Sequence, residues 1–170
     1  MSAAPDDFGS PVLARLLRGA TGAVLATHAD LGDVTAVVDA SRLLEVMRLL
    51  RDDPATSFDM LMDLTGVDYL GYPGRSGPRF EVAYHLYSLE RNQRLRVRVG
   101  VEASPCEVDS VVSLWPSANW MEREAWDLYG IRFRGHPDLR RLLLYDEFEG
   151  HPLRKDYAKE RRQPLLGPRN

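Results

Sequence analysis

Residues 117–157 read SANWMEREAWDLYGIRFRGHPDLRRLLLYDEFEGHPLRKDY and combine charge, aromatic side chains and turn formers at high density. Asn119 and Glu122 have the spacing of a capping box, which predicts the start of a helix. Gly130 lies where a left-handed residue closes a helix, so the helix is expected to cover 120–129. The composition after Gly130 indicates a docking segment and not a catalytic pocket.

The predicted helix separates charged from apolar positions. Glu122 and Glu124 lie near its N-terminus, where negative charge interacts favourably with the helix dipole. Arg123 and Asp127 are four residues apart, so an ion pair along the helix surface is expected. An apolar stripe is predicted from Met121, Ala125 and Leu128.

The tripeptide Gly-His-Pro occurs twice, at 135–137 and at 150–152. Each proline disfavours the helical conformation for the histidine before it, which predicts an extended path for the chain. Basic residues follow both copies with an aspartate beside them. They are Arg140, Arg141, Arg154 and Lys155, with Asp138 and Asp156. A doubled turn with paired charges favours docking along a partner.

Three blocks of this stretch, EREAWDLYGI, GHPDLRR and GHPLRKDY, resemble the signature of the C subunit of the proton-pumping NADH-quinone oxidoreductase, respiratory complex I. The block DLTGVDY at 63–69 is similar to the family's upstream segment, so the resemblance covers 58–157. It implies a non-catalytic structural subunit in the peripheral arm, on the cytoplasmic face of the cell membrane. It also implies that the large quinone-site subunit and its iron–sulfur neighbours are partners. FMN, iron–sulfur clusters and quinone are implied for the complex and none for this chain.

With this resemblance, we expect eleven polar residues to bind the neighbouring large subunit through desolvated, charge-assisted hydrogen bonds. On that view Arg123→Ala lowers assembly and leaves the melting temperature of the isolated domain nearly unchanged. The alternative is that the helix charges only pair within their helix and that both histidines pack against backbone or carboxylate groups. The candidates are Glu122, Arg123, Glu124, Asp127, His136, Arg140, Arg141, His151, Arg154, Lys155 and Asp156.

The charge distribution leaves two other functions open. Residues 1–130 contain 12 Lys and Arg against 19 Asp and Glu, whereas residues 131–170 contain 10 against 6. A basic arm on an acidic body fits a free-standing RNA-binding module, although acidic residues interleaved in the arm favour a protein partner. The second alternative is the equivalent subunit of a related membrane-bound hydrogenase or other donor-linked dehydrogenase.

Several kinds of chemistry lack their sequence signals. The single cysteine, Cys106, excludes an intrachain disulfide and a four-thiolate cluster supplied by this chain. No G-x-G-x-x-G follows a predicted strand, and no histidine pair has H-E-x-x-H spacing. The longest runs without Asp, Glu, Lys or Arg are too short to span a bilayer, and the N-terminus MSAAPDDFGS has no apolar signal region. A cytoplasmic protein with indirect membrane contact is therefore expected.

Hydrophobic periodicity predicts the remaining elements. Helices are expected at 11–18, at 41–51 with Ser41 as the cap, and at 105–114; strands are expected at 23–27, 34–39, 58–64, 79–88 and 93–101. This order, α-β-β-α-β-β-β, predicts an α+β two-layer sandwich with a mixed five-stranded sheet, followed by helices and an extended C-terminal tail. We expect a globular domain over 1–130 and an extended basic docking tail over 131–170.

Two side-chain sets have more than one interpretation. Arg94, Arg96 and Arg98 alternate along one predicted strand, which is typical of a solvated sheet face but also fits a docking patch. The three tryptophans, Trp115, Trp120 and Trp126, fit core packing as well as interface anchoring.

Overall fold

A computed structural model of the chain describes residues 4–161 and 163. Three α-helices and seven strands form in this part of the chain, and two short 3-10 turns, Asp30–Gly32 and Ala40–Arg42, precede β2 and α2. In chain order the helices and strands are α1 (Pro11–Gly19), β1 (Val24–His28), β2 (Thr35–Val38), α2 (Leu43–Asp52), β3 (Met60–Asp68), β4 (Phe80–Ser88), β5 (Gln93–Val101), β6 (Glu107–Asp109), α3 (Ala118–Tyr129) and β7 (Arg132–Arg134).

Strands β1 to β5 form one sheet in the order β1-β2-β5-β4-β3. The β2–β5 pair is parallel and the three other pairs are antiparallel, so the predicted mixed five-stranded sheet is confirmed. The strand pairs β1–β2 and β4–β5 each form an antiparallel hairpin. β3 lies at one edge, and α3 packs beside it.

The core lies between one face of this sheet and helices α1 and α2. Alternate residues of β4 and β5, such as Tyr84 and Val97, are fully buried there. Leu13 of α1 and Met47 of α2 are buried in the same cluster. The α+β two-layer class is therefore confirmed, because period-two strands and period-3.6 helices each bury one face.

The opposite sheet face carries the three arginines of β5. Arg98 forms a two-point contact with Glu81 of the neighbouring strand, at 2.6 and 2.7 Å, and Arg75 from the loop after β3 reaches the same carboxylate at 2.8 Å. Arg96 lies 3.6 Å from Asp33, and Arg94 is exposed. The arginine row therefore forms a charged surface on the side away from α1 and α2.

Two local predictions are wrong. Residues 105–114 form no helix; the Ser104–Pro105 peptide is cis and β6 pairs in parallel with β7. The pairing is supported by Arg134, which bonds Asp109 at 2.9 Å, and by Val108, which is fully buried. Ser41 is not the cap of α2, because Asp39 accepts the Ser41 backbone N–H and opens the preceding 3-10 turn.

The three tryptophans have three different environments. Trp115 is 3% exposed, and its indole N–H donates to the Phe58 carbonyl at 3.1 Å. Trp126 is partly buried against the core, whereas Trp120 is 60% exposed. Trp115 is thus a core residue, and Trp120 is available for contacts outside the domain.

Trp115→Phe should destabilise the fold by about 1–3 kcal/mol, because it leaves the buried Phe58 carbonyl without its donor. Trp120→Phe is the matched control and should change the unfolding free energy by less than about 0.5 kcal/mol. Urea unfolding of both variants checks this. Equal effects would contradict a bonding role for the Trp115 indole.

Candidate functional site

After β7 the chain leaves the small sheet and runs along α3. Ile131 and Phe133, just before this point, are buried in the core, and Gly135 turns the chain with a φ of 79°. We name residues 136–156 the strap. The boundary at residue 130 and the docking role of the tail stay predictions, and residues 162 and 164–170 of that tail lie outside the described residues.

The first Gly-His-Pro fastens the strap to the beginning of α3. The His136 Nε2 atom lies 3.1 Å from the carbonyl oxygen of Asn119, while its Nδ1 atom accepts the Asp138 backbone N–H at 3.0 Å. A carbonyl can only accept, so the imidazole is bonded as the neutral Nε2–H form. The predicted role of His136 in packing against backbone agrees with this contact.

One turn further along α3, Arg123 holds the strap through its carbonyl groups. Its guanidinium donates to the carbonyl oxygens of Arg140 and Arg141, at 3.2 and 3.1 Å. Arg123 is 5% exposed and lies over the Trp120 ring. Arg123→Ala is therefore expected to destabilise the domain, which corrects the expectation of an unchanged melting temperature.

Asp127, one turn beyond Arg123, binds the strap through its amides. One carboxylate oxygen accepts the backbone N–H groups of Leu142, Leu143 and Leu144 at 2.9 to 3.0 Å. The other accepts the Arg141 guanidinium at 2.7 Å. Burial acts to raise the pKa of Asp127, but these donors outweigh it and hold that pKa below its usual range. The predicted Arg123–Asp127 pair is wrong, because both side chains bind the strap.

The second Gly-His-Pro caps the C-terminal end of α3. His151 Nδ1 lies 2.9 Å from the Asp127 carbonyl oxygen, the Leu153 N–H donates to Leu128 at 3.1 Å, and Arg154 Nε donates to Tyr129 at 2.6 Å. Three successive carbonyls that a helix end leaves unpaired thus gain partners. Gly130 has the left-handed conformation predicted from sequence (φ 72°, ψ 22°). Burial lowers the pKa of His151, consistent with a neutral ring.

The end of the strap is tied to the large sheet. The Lys155 N–H donates to the Asp68 carboxylate at 2.8 Å, and Arg79 bridges Asp68 and Asp156 with contacts of 2.8 to 3.0 Å. Burial acts to raise the pKa of Asp68, but the bonds from Arg79, Lys155 and Leu70 lower it to about 2. These contacts fix the strap to β3 and to the start of β4.

The predicted capping box is wrong. α3 begins at Ala118, and its first residues receive no side-chain cap from Ser117. Glu122 is 0% exposed, and its Oε1 atom accepts the Val111 N–H at 2.7 Å instead of bonding its own helix. A buried backbone N–H needs an acceptor, and this requirement draws Glu122 away from the helix end.

Every candidate except Glu124 takes part in the contacts just described or in a surface ion pair, through its side chain or its backbone. Four candidates are nevertheless exposed: Glu124, Arg140, Lys155 and Asp156. Sequence reasoning did not single out the apolar residues beside them. Leu143 and Leu153 are 60% and 46% exposed. The four-residue spacing of Trp120, Glu124 and Leu128 was the sequence signal that these three side chains share one face of the helix.

We name the outward side of α3, together with Leu153 of the strap, the docking face; its residues are Trp120, Glu124, Leu128 and Leu153. The last three, with Thr65 of β3, are among the residues that line a groove of about 40 Å³. Glu124 is exposed and has no hydrogen bond or ion pair with any residue that the structure describes. The face thus combines apolar side chains with one unpaired carboxylate.

Two features are absent from residues 4–161 and 163. No helix there is long and apolar enough to cross a membrane. No group of three or more His, Cys, Asp or Glu side chains there is arranged to hold a metal ion.

An α+β domain with a helix fixed by its own strap and an exposed mixed face has the build of a structural subunit of a larger assembly. The chain belongs to the family described as respiratory-chain NADH dehydrogenase, 30 Kd subunit, whose model matches residues 36–163. The NADH-quinone oxidoreductase C subunit of Rhodopseudomonas palustris (strain TIE-1) is 48% identical over 163 residues, covering 95% of this chain and 74% of that protein. The corresponding protein of Acidithiobacillus ferrooxidans (strain ATCC 53993) is 50% identical over 149 residues, covering 86% and 71%.

Two solved structures have a similar fold. One described as Nqo5 of the trypsin-resistant fragment (1-134) is 41% identical, with a TM-score of 0.59, and covers 65% of this chain and 85% of that chain. A chain of the membrane-bound sulfane sulfur reductase, an archaeal respiratory membrane complex, has a TM-score of 0.71 at 19% identity, covering 89% of this chain and 86% of that one. The second likeness shows the fold alone. The predicted resemblance to the C subunit of complex I is confirmed.

Asp127→Asn should destabilise the chain by about 3 kcal/mol and speed tryptic cleavage after Arg140 and Arg141, because an amide cannot replace a carboxylate that accepts four donors. Since its pKa is lowered, the contribution of Asp127 is present above pH 3.8 and is lost as pH falls through the lower folded-state value. Asp138→Asn, whose exposed pair with Arg140 is solvated, should cost less than about 1 kcal/mol. An unchanged cleavage rate in Asp127→Asn would contradict the strap attachment.

Gly130→Ala should destabilise the chain more than Gly71→Ala by about 1–3 kcal/mol. Both glycines have left-handed backbones, with φ near 72° and 71°, so the conformational cost of alanine is shared. A Cβ at Gly130 would lie 2.5 Å from His151 Nε2 and from Arg154 Nη2, whereas Gly71 has open space. Both side chains must then shift, which weakens the bonds of His151 Nδ1 and Arg154 Nε to the carbonyls of Asp127 and Tyr129. Thermal and urea unfolding measure the difference. Equal losses would show that the second Gly-His-Pro does not cap α3.

Proposed function

We propose that the chain docks in the peripheral arm of NADH-quinone oxidoreductase through the docking face of α3, beside the large quinone-site subunit. The observation that carries the proposal is the unequal environment of α3. Its inner sides are bonded to the sheet and the strap, whereas Trp120 is 60% exposed and Glu124 has no hydrogen-bond or ion-pair partner among the described residues. Membership in the family supports the choice of complex.

The strap prepares α3 for binding. Contacts at Asn119, Arg123, Asp127 and Tyr129 hold the helix over its length before any partner arrives. A surface that is already ordered loses less conformational freedom on association. Arg123 and Asp127 are therefore positioning residues in this proposal, and they act on the partner through the shape of the docking face.

The chemistry of the docking face indicates what it binds. Tryptophan is enriched at positions that dominate interface energies, and an unpaired carboxylate fits an arginine or lysine of the partner. Arg140 and Lys155 on the strap are exposed and fit carboxylates around the same contact. The predicted interface role of the eleven polar residues is thus divided between exposed members that touch the partner and buried members that hold α3.

At the level of the complex, electrons pass from NADH through FMN and iron–sulfur centres to quinone, and this chain supplies structure. We place it at the cytoplasmic face of the cell membrane, with membrane contact through other subunits. The fold shared with a chain of the sulfane sulfur reductase complex is compatible with the alternative of an equivalent subunit in a related respiratory machine. No observation on the described residues favours RNA binding over protein docking.

The test is affinity purification of the tagged full chain from gently solubilised membranes of its own host. Wild type should retain flavin and iron–sulfur subunits and NADH-dependent quinone reduction. Trp120→Ala and Glu124→Lys should each lower recovery of these partners by tenfold or more, taking about 1.4 kcal/mol or more from the interface, without lowering the melting temperature of the free chain. Leu25→Ala on β1, where Leu25 is 53% exposed, is the control and should leave recovery unchanged.

The same purification separates the alternatives. Recovery of a nickel–iron hydrogenase subunit without NADH activity would assign the chain to the related machine. Full recovery of partners by both docking-face variants would reject the docking face while leaving family membership intact. Salt-sensitive retention of RNA with no stoichiometric protein partner would replace the proposal with the RNA-binding function.

A further inference from the structure

Glu122 is a carboxyl group enclosed in the interior of the domain. Its side chain projects from the inner side of α3 and is 0% exposed. The Oε1 atom accepts the Val111 N–H at 2.7 Å, and the Ser110 hydroxyl also bonds this carboxyl group. The Oε2 atom is buried and has no hydrogen-bond partner. One oxygen is therefore satisfied by donors and the other faces the interior alone.

Tyr84 of β4 is a second enclosed residue with an unpaired polar atom. It is 0% exposed, and its hydroxyl is also buried without a hydrogen-bond partner. Neither this hydroxyl nor Glu122 Oε2 bonds the other, and each lacks the partner that buried polar atoms in folded proteins nearly always have.

The surroundings of Glu122 favour the uncharged form. The groups that act on its carboxyl are the Ser110 hydroxyl and the Val111 N–H, which follow β6. Arg134 of β7 bonds Asp109 of β6 at 2.9 Å. None of these groups that act on the Glu122 carboxyl is a cation, and an ionised carboxylate enclosed without one is strongly disfavoured.

We propose that Glu122 is a neutral carboxylic acid in the folded chain, so that the seating of α3 on the sheet is coupled to proton uptake. Protonation removes the charge from a carboxyl group whose Oε2 atom no donor reaches, while Oε1 keeps the bond from the Val111 N–H. The coupling adds a pH dependence to the helix that presents the docking face.

The contribution of Glu122 to folding stability falls as pH rises. Burial raises the pKa of Glu122 to about 7 despite opposing hydrogen bonds from Ser110 and Val111. Because the unfolded value is 4.5, the folded chain holds an extra proton between these values. The stability contribution of this group is fully present below pH 4.5 and is lost as pH rises through about 7. Above that value α3 must carry an enclosed charge or loosen from the sheet.

The first test compares the pH dependence of unfolding in wild type and Glu122→Gln, with the full chain. Glutamine keeps the acceptor for Val111 and places an N–H donor where the acid carries its proton, so the variant should fold. Between pH 4.5 and 7 the folding equilibrium of wild type should weaken by roughly 80-fold relative to the variant. All other ionisable groups are the same in both proteins, so their contributions cancel in the ratio. Glu124→Gln, an exposed change on the same helix, should retain the wild-type dependence.

The second test observes the proton directly. With ¹³C-labelled glutamate, the Glu122 side-chain carboxyl resonance, assigned by its absence in Glu122→Gln, should remain in the protonated position at about pH 5.5 in wild type. A carboxylate signal from Glu122 at that pH, or equal pH slopes in wild type and Glu122→Gln, would overturn the neutral-acid assignment.

Discussion

The arrangement of α3 depends on the carboxylate of Asp127. It is closed to solvent and accepts four hydrogen bonds, three from successive strap amides and one from Arg141. A buried charge is tolerated only when such partners surround it, so the helix and the strap require each other. The docking face is the outer side of that helix, and its shape therefore follows from a contact on the inner side.

The repeated Gly-His-Pro has a structural explanation in the two ends of α3. His136 bonds the Asn119 carbonyl through Nε2, and His151 bonds the Asp127 carbonyl through Nδ1. Each proline keeps its histidine out of a helical conformation and so frees the ring to reach a neighbouring helix. The same tripeptide thus serves the start and the end of one helix, although the two rings use different nitrogens.

Two acidic residues on α3 illustrate how environment decides charge. Asp127 meets four donors, including a guanidinium, and its pKa is lowered; Glu122 meets a hydroxyl and one amide, and burial raises its pKa to about 7. The number and charge of the donors account for the opposite directions. One carboxyl group therefore anchors the strap as an anion, while the other is assigned to the interior as an acid.

The sequence by itself determined the five-stranded sheet, the bounds of β5 and the cap at Gly130, because alternation, helical periodicity and the steric freedom of glycine act over a few residues. The family blocks were also readable in sequence. Only the tertiary structure decided the partners of Arg123 and Asp127. A surface pair four residues apart contributes a few tenths of a kcal/mol, whereas the strap offers buried, charge-assisted bonds from residues more than a dozen positions away. Residues 105–114 became β6 and turns for the same reason, since their partner strand β7 is distant in sequence and close only after folding.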